Sequence, residues 1–485
     1  MSISKNYILN IIMTITGILF PMITFPYVSR VLMPEYIGKV TFAQSIIFYF
    51  TTLALLGIPI YGTRELSKER QDLNRFKAIL TELIIIGVLG SIISFTIVFI
   101  GIKFISKLSE IKEILYILSL QVIFSFLNLD YLFIVLEKHK RRALRALFIR
   151  IISIILMFIF VKTYQDYRIY VLILVIPEIL MRILDFISIK EYLDFKGNLD
   201  LKKHMKSLCI LFISALSVSL YVSLDSTMLG IIIGNSSVGL YASASKMSKV
   251  LIPLIIALQT VIAPQLIYHI KEKNKEKVFE KIDIFLDFNF LLGMQFIFLL
   301  FILSKDMILL FSGEKFIDAN LAMKVMLPVI FFIPVGSFMS GKILISHNLE
   351  KLSLKFNFLG MLLNATLNYI LIPKSGIVGA GFATMFTEGL MCLLKTLKVK
   401  KIYPEYKVIT NDRLRYILVG LIVTLLLLFI KNRIEIKSII LNIFFVGSLY
   451  GLSYIGSLII LKDKLILDLL NKVIFKIIKK NRGKV

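Results

Sequence analysis

Apolar residues in this chain come in long runs of about twenty, cut by short charged breaks, with neither the 3.6-residue stripe of a surface helix nor the alternation of a half-buried strand. The runs fall at about 7–30, 39–61, 78–101, 113–136, 143–161, 169–189, 207–233, 238–262, 285–310, 325–346, 353–373, 377–394, 414–430 and 438–461. A helix needs about 20 apolar residues to cross a bilayer, where only structures that satisfy their own backbone persist. The pattern therefore predicts an all-α, polytopic membrane protein with about fourteen transmembrane helices. The longest breaks run to about 20 residues, which leaves no room for a soluble domain.

Composition agrees. Of 485 residues, 58% are apolar and 18% charged, and the mean hydropathy is +0.86. A soluble enzyme, a disordered chain and a disulfide scaffold are excluded. Cys209 and Cys392 both sit inside apolar runs, so neither a disulfide framework nor a thiolate metal site is implied. The first run is longer than a signal-peptide core and is read as a retained span.

The formal charge of +26 first suggests nucleic acid, but its distribution points elsewhere. With alternate breaks assigned to the inner side, 38 of the 57 Lys and Arg residues fall inside, 14 outside and five within spans. That asymmetry is the positive-inside pattern, and it places both termini in the cytoplasm. The tail LLNKVIFKIIKKNRGKV has the composition of a basic amphipathic helix lying along the interface. His139, His204, His269 and His347 map to inner helix ends and read as headgroup-level residues, while Glu82 and Asp130, near inner ends, read as solvated.

A weak repeat appears at an offset of 201 residues. Met33-Pro34-Glu35-Tyr36-Ile37-Gly38 joins spans one and two; Gly234-Asn235-Ser236-Ser237-Val238-Gly239 joins spans seven and eight. Six spans per repeat gives two parallel lobes, an arrangement that puts a substrate site between them. The domain reading is an N-terminal lobe at 1–195, a C-terminal lobe at 196–400, and spans thirteen and fourteen with the basic tail at 401–485. The stretch from Phe20 through Pro21, Pro26, Arg30, Pro34 and Glu35 to Gly38 resembles the opening of polysaccharide repeat-unit flippases of the Wzx type. These belong to the multidrug/oligosaccharidyl-lipid/polysaccharide exporter superfamily. Leu56–Glu65, Leu224–Gly230, Val238–Lys246 and Ile372–Ala380 support the resemblance. It implies two six-helix lobes plus two C-terminal helices, and translocation of an undecaprenyl-diphosphate-linked oligosaccharide to the outer leaflet of the bacterial cytoplasmic membrane. Its implied partners are that cargo, membrane lipids, and the polysaccharide polymerase and chain-length machinery of capsule or O-antigen synthesis, with no nucleic acid.

Ionisable groups within spans are costly, and each invites a functional reading. Asp225 lies eight residues before 233 and Lys246 eight residues after 238, on either side of the tight 234–237 turn and level with each other by helical rise. Lys246 and Lys249 are expected to attract a cargo phosphate, with Asp225 holding or releasing Lys246; a structural buried pair is the alternative. Arg30 and Arg150 are further phosphate candidates that can instead snorkel to the surface. In span six, Glu178, Arg182 and Asp185 share one face beyond Pro177, as a structural triad or a hinge-linked gate. Glu388 is the mid-depth acid of span twelve and a candidate for Na⁺ or H⁺ coupling. Gln44, Gln121, Asn128, Gln259, Gln295, Asn364 and Asn368 either bond sugar hydroxyls or hold helices together. Pro253, Pro328 and Pro334, with Gly336 and Gly341, mark spans eight and ten as kinkable.

No Walker motif, HExxH, Gly-x-Ser-x-Gly or Cys–His cluster occurs, so neither direct ATP use nor a known catalytic arrangement is expected, and no resident cofactor is implied. A gradient-coupled flippase leads. A drug or cation antiporter and a lipid II-type flippase share the expected fold, and a membrane polymerase or ligase would need a larger outer loop. The topology has a direct check. Reporter fusions ending after residues 140, 200 and 405 should be active only with a cytoplasmic reporter, and fusions after 165 and 315 only with an exported one.

Overall fold

Membrane helices end where the chain must turn, and in this computed structural model the turns fall where the hydropathy breaks do. The structure describes residues 3–195, 199–431, 433, 436 and 438–468, the side chains of 3–16, 18, 19, 139–142 and 145 aside. The basic tail beyond 468 lies outside the described residues. Among those described, nine helices are long and apolar enough to cross a membrane, or ten when the bent pair Lys112–Ile123 and Ser125–Val135 counts as one span. No strand occurs among them.

Two of these helices each hold two of the runs read from the sequence. Ile3–Leu55 is interrupted by a non-helical residue at Met33, and Glu350–Ile402 at Gly376. Span five is His139–Phe160, span six Tyr167–Ile187, and span eight the pair Asn235–Lys249 and Ile252–Lys271. Counted this way the fourteen helices expected from hydropathy are present.

The breaks have identifiable causes. Pro34 disfavours helical backbone at the residue before it, and Met33 is where the first long helix turns. Span eight breaks at Val250–Leu251, just before Pro253, and span ten at Leu327–Pro328. Span ten then loosens into a π-helix over Met339–Leu344, a form that concentrates at functional sites.

By contacts the chain divides into two units, one of residues 1–242 and 357–380, the other of 243–356 and 381–485. In the first, the 33–38 and 234–239 turns meet backbone to backbone. A methyl group in place of Gly38 would lie 1.7 Å from the carbonyl oxygen of Asn235, and one in place of Gly239 would lie 2.0 Å from that of Pro34. Pro34 and Asn235 are themselves 201 residues apart, as are the two glycines, so the weak sequence repeat is a reciprocal contact in space.

In the second unit, span thirteen (Asn411–Lys431) and span fourteen (Ile439–Ile460) pack on span nine (Lys275–Phe311) through Phe290, Leu291, Val419, Val423, Tyr450 and Tyr454. Charged clamps sit at both ends. Arg413, counted as a loop cation in the sequence, is 1% exposed. It donates to Asp287 Oδ1 at 2.6 Å, Asp283 Oδ1 at 2.5 Å and the Val408 carbonyl at 2.7 Å. At the other end Lys431 and Asn442 donate to Asp306 Oδ2 at 2.9 and 3.0 Å. Removing one member of a buried pair costs about 3–5 kcal/mol, reduced here because Asp283 and Asp287 stay partly solvated. Arg413→Ala should therefore lower the melting temperature in detergent by about 5–10 °C, at about 2–4 °C per kcal/mol for a large domain. Arg413→Lys, which keeps charge without the fork, should fall between.

Candidate functional site

A carboxylate within a span survives only if the protein supplies donors for it. Asp225, in the last third of span seven (Lys202–Ile232), is 6% exposed. Tyr241, on the helix after the 234–237 turn, donates its phenol to Asp225 Oδ2 at 2.5 Å. Asn368 of span eleven donates to Asp225 Oδ1 at 2.6 Å and to Asn364 Oδ1, one turn earlier, at 3.0 Å. Both asparagines are buried, and the Asn368 side-chain oxygen has no hydrogen-bond partner among the described residues. Beside them Tyr49 of span two bonds the Thr227 hydroxyl at 2.8 Å, and Thr227 bonds Ser45 at 2.9 Å. The cluster gathers a carboxylate, two amide oxygens, two phenols and two hydroxyls, all within the first unit. Such an oxygen set suits a proton or a hard cation and equally suits a polyol.

The other sequence candidates separate by unit. Glu178 and Arg182 come together as expected, with Arg182 Nη2 donating to Glu178 Oε1 at 2.6 Å. Gln121 donates to Glu178 Oε2 at 2.7 Å, and the guanidinium also reaches the carbonyls of Gln121 and Phe124 at 3.4 and 3.5 Å. Those carbonyls lie where span four bends by 45°, so the Glu178–Arg182 pair gives the broken helix a donor. Asp185 is buried on the same helix. Arg30 is exposed and donates to the Pro26 carbonyl at 2.7 Å, while Arg150 is half-buried with its guanidinium against Gly17. In the second unit Lys246 is exposed and Lys249 half-buried on a helix whose Ser243, Ala244, Met247 and Ser248 are buried. Glu388 is half-buried, in electrostatic reach of Lys395 two turns on. Gln259 holds span eight to span ten, donating to the Pro334 carbonyl at 2.8 Å.

Two expectations are corrected. Glu82, read as solvated, is 0% exposed, and His204, read as a headgroup-level residue, is 2% exposed. His204 Nε2 lies 2.7 Å from Glu82 Oε2, Lys203 donates to Glu82 at 2.9 Å and the Asp200 amide at 2.8 Å. Tyr61 closes the network at 2.8 Å from His204 Nδ1. The residue types were legible, but nothing in the spacing says that residues 61, 82 and 204 meet.

A family model described as "Polysaccharide biosynthesis protein" matches residues 3–268. A protein of Escherichia coli (strain K12) named "Putative O-antigen transporter" is 26% identical over 412 residues, 82% of this chain and 97% of that protein. One of the same name from Shigella dysenteriae is 22% identical over 405 residues, covering 82% and 100%. Among solved structures, lipid II flippase MurJ in an inward closed conformation superposes with a TM-score of 0.66 at 17% identity, over 95% of this chain and 99% of that one. An inward-facing multidrug resistance MATE family transporter of the MOP superfamily gives 0.62 at 15%, over 80% and 94%. At these identities the structural likeness establishes the fold, which is the one the residue 20–38 stretch implied.

The Glu82 network has its own test. Glu82→Gln turns an amide toward an ammonium, an imidazole and a backbone N–H, at a cost of about 1–3 kcal/mol. The melting temperature in detergent should drop by several degrees, whereas Glu110→Gln, on a partly exposed outer pair with Lys107, should leave it unchanged.

Proposed function

The chain belongs to the polysaccharide biosynthesis protein family, and on that premise we propose that it is a flippase. It carries a lipid-diphosphate-linked oligosaccharide repeat unit from the inner to the outer leaflet by alternating access, without catalysing a covalent step. The observation that carries this reading is the Asp225 cluster: an aspartate, a tyrosine and two asparagines from three helices, buried within spans, where such groups are retained for transport rather than for stability. The closed contact between the 33–38 and 234–239 turns fits a cycle in which one side is shut.

In this reading the membrane is the bacterial cytoplasmic one, with both termini inside, and residues 1–195 and 196–400 act as the lobes while 401–485 is accessory. Asp225, with the Asn368 and Asn364 amides, takes the coupling ion, H⁺ or Na⁺. Lys246, Lys249, Arg30 and Arg150 present cations to the diphosphate, as Arg and Lys side chains do wherever phosphate is bound. Glu178 with Arg182 works as a hinge-linked contact, and Glu388 is a second coupling candidate. Surface-polymer polymerase and chain-length proteins take the flipped unit onward.

Deleting the chain should abolish surface polysaccharide while lipid-linked repeat units accumulate at the inner leaflet; persistence of the polymer would overturn the reading. In cells lacking the wild-type gene, Lys246→Ala and Asp225→Asn at normal expression should each cut export at least about ten-fold, the order of one lost charged contact. For Glu388→Gln, unchanged dependence on the ion gradient would remove Glu388 from coupling and leave Asp225 to carry it.

A further inference from the structure

The two turns related by the 201-residue offset share more than a glycine. Met33 has φ 61° and ψ 171°, and the matching residue, Gly234, has φ 130°. Both repeats thus reverse direction through a positive φ immediately before the next helix begins, at Pro34 and at Asn235. For Gly234 this costs little, because glycine lacks the Cβ that forbids the region. Met33 has that Cβ and occupies a region that is essentially glycine-only. Pro34 accounts for the extended ψ of Met33, since the residue before a proline is pushed out of the helical region, but it does not ask for a positive φ. Nor does the Met33 side chain hold the conformation, for it is 40% exposed.

What remains to impose it is the contact the turn makes. Ile37 and Gly38 are buried against the second turn, Val238 is 0% exposed, and a methyl group at Gly38 or Gly239 would overlap the facing carbonyl oxygen. Two backbones packed this closely leave the first turn no freedom to relax while they touch.

We propose that Met33 is a spring-loaded hinge: its backbone strain is held by the Gly38–Gly239 contact and discharged when the two turns part. The first repeat thereby favours separation, while Gly234 makes the second a neutral hinge. The proposal deepens the alternating-access reading and rests on it, with the turns as one closed side of the cycle. A residue in such a backbone region biases an equilibrium by roughly five- to a hundred-fold, enough to decide which state a transporter rests in.

The test measures opening without cargo, so its failure is distinct from failure of the flippase reading. In a chain with Cys209→Ser and Cys392→Ala, Val238→Cys reports opening through its rate of reaction with a membrane-impermeant maleimide in right-side-out vesicles. Met33→Gly should slow labelling about ten-fold by removing the strain. Gly234→Ala, which meets nothing within 4 Å and so adds strain without a clash, should speed it. Gly38→Ala should bring the rate toward that of Ser236→Cys, an exposed position in the same turn. Parental rates in both Met33→Gly and Gly234→Ala would overturn the proposal, and so would faster labelling in Met33→Gly. Those two variants introduce no steric overlap and decide the question even where Gly38→Ala folds poorly.

Discussion

A bilayer core offers no water, so every polar group a helix exposes there must find its partner in protein. Most features of this structure answer that constraint. Span four bends, and the guanidinium of Arg182 reaches the carbonyls at the bend, itself held by Glu178 and Gln121. Span ten carries Pro334, and Gln259 from span eight donates to that residue's carbonyl. Spans thirteen and fourteen are held to span nine by a guanidinium on two aspartates at one end and an ammonium on Asp306 at the other. In these cases polar residues tie helices together, at the bend of span four, at Pro334 and at both ends of span thirteen.

That division of labour explains what the sequence could and could not disclose. Hydropathy located the helices because membrane thickness sets their length, while the positive-inside asymmetry predicts an orientation by counting alone. The 201-residue repeat was legible as a faint likeness of two turns; the reciprocal approach of Gly38 and Gly239 shows why a likeness of six residues was worth keeping. The Glu178–Arg182 pair was legible because both members lie on one helix, four residues apart. Glu82 and His204 were misread for the opposite reason. Their burial is produced by the packing of the 61, 82 and 204 segments, and a residue near a helix end looks solvated until the neighbour covering it is known. Tyr241 and Asn368 were visible as residues but not as partners of Asp225, since sequence separations of 16 and 143 carry no helical periodicity.

Two of the buried acids, Glu82 and Asp225, also differ in their partners. Glu82 accepts from an ammonium, an imidazole and a backbone N–H, donors that fix its ionised form and its position. Among the partners of Asp225 are a phenol and a carboxamide, with the Asn368 amide oxygen alongside. Exchanging neutral donors for a cation is a smaller electrostatic step than displacing a charged one. On the proposed function, the carboxylate of Glu82 serves as a rivet at the end of span three and that of Asp225 as an exchangeable site within span seven.

The charge of the chain can be sorted in the same way. Most of its 57 basic residues sit in breaks between spans, where they orient the helices and meet headgroups. Arg413 and Lys431 are spent on holding span thirteen, and Arg182 on a broken helix. On the proposed function, a diphosphate cargo would be recognised by a handful of cations within spans, chiefly Lys246 and Lys249. Recognition by so few charges is adequate only if those charges act in a setting less polar than water, where an ion pair at a given distance is worth several times its value at the surface. Closure of one side at the Gly38–Gly239 contact would serve that end, by excluding water from part of the path while the cargo is held. On that proposal gating and binding are one electrostatic problem, because any closure that excludes water from the path would also strengthen the few cations that recognise what is carried.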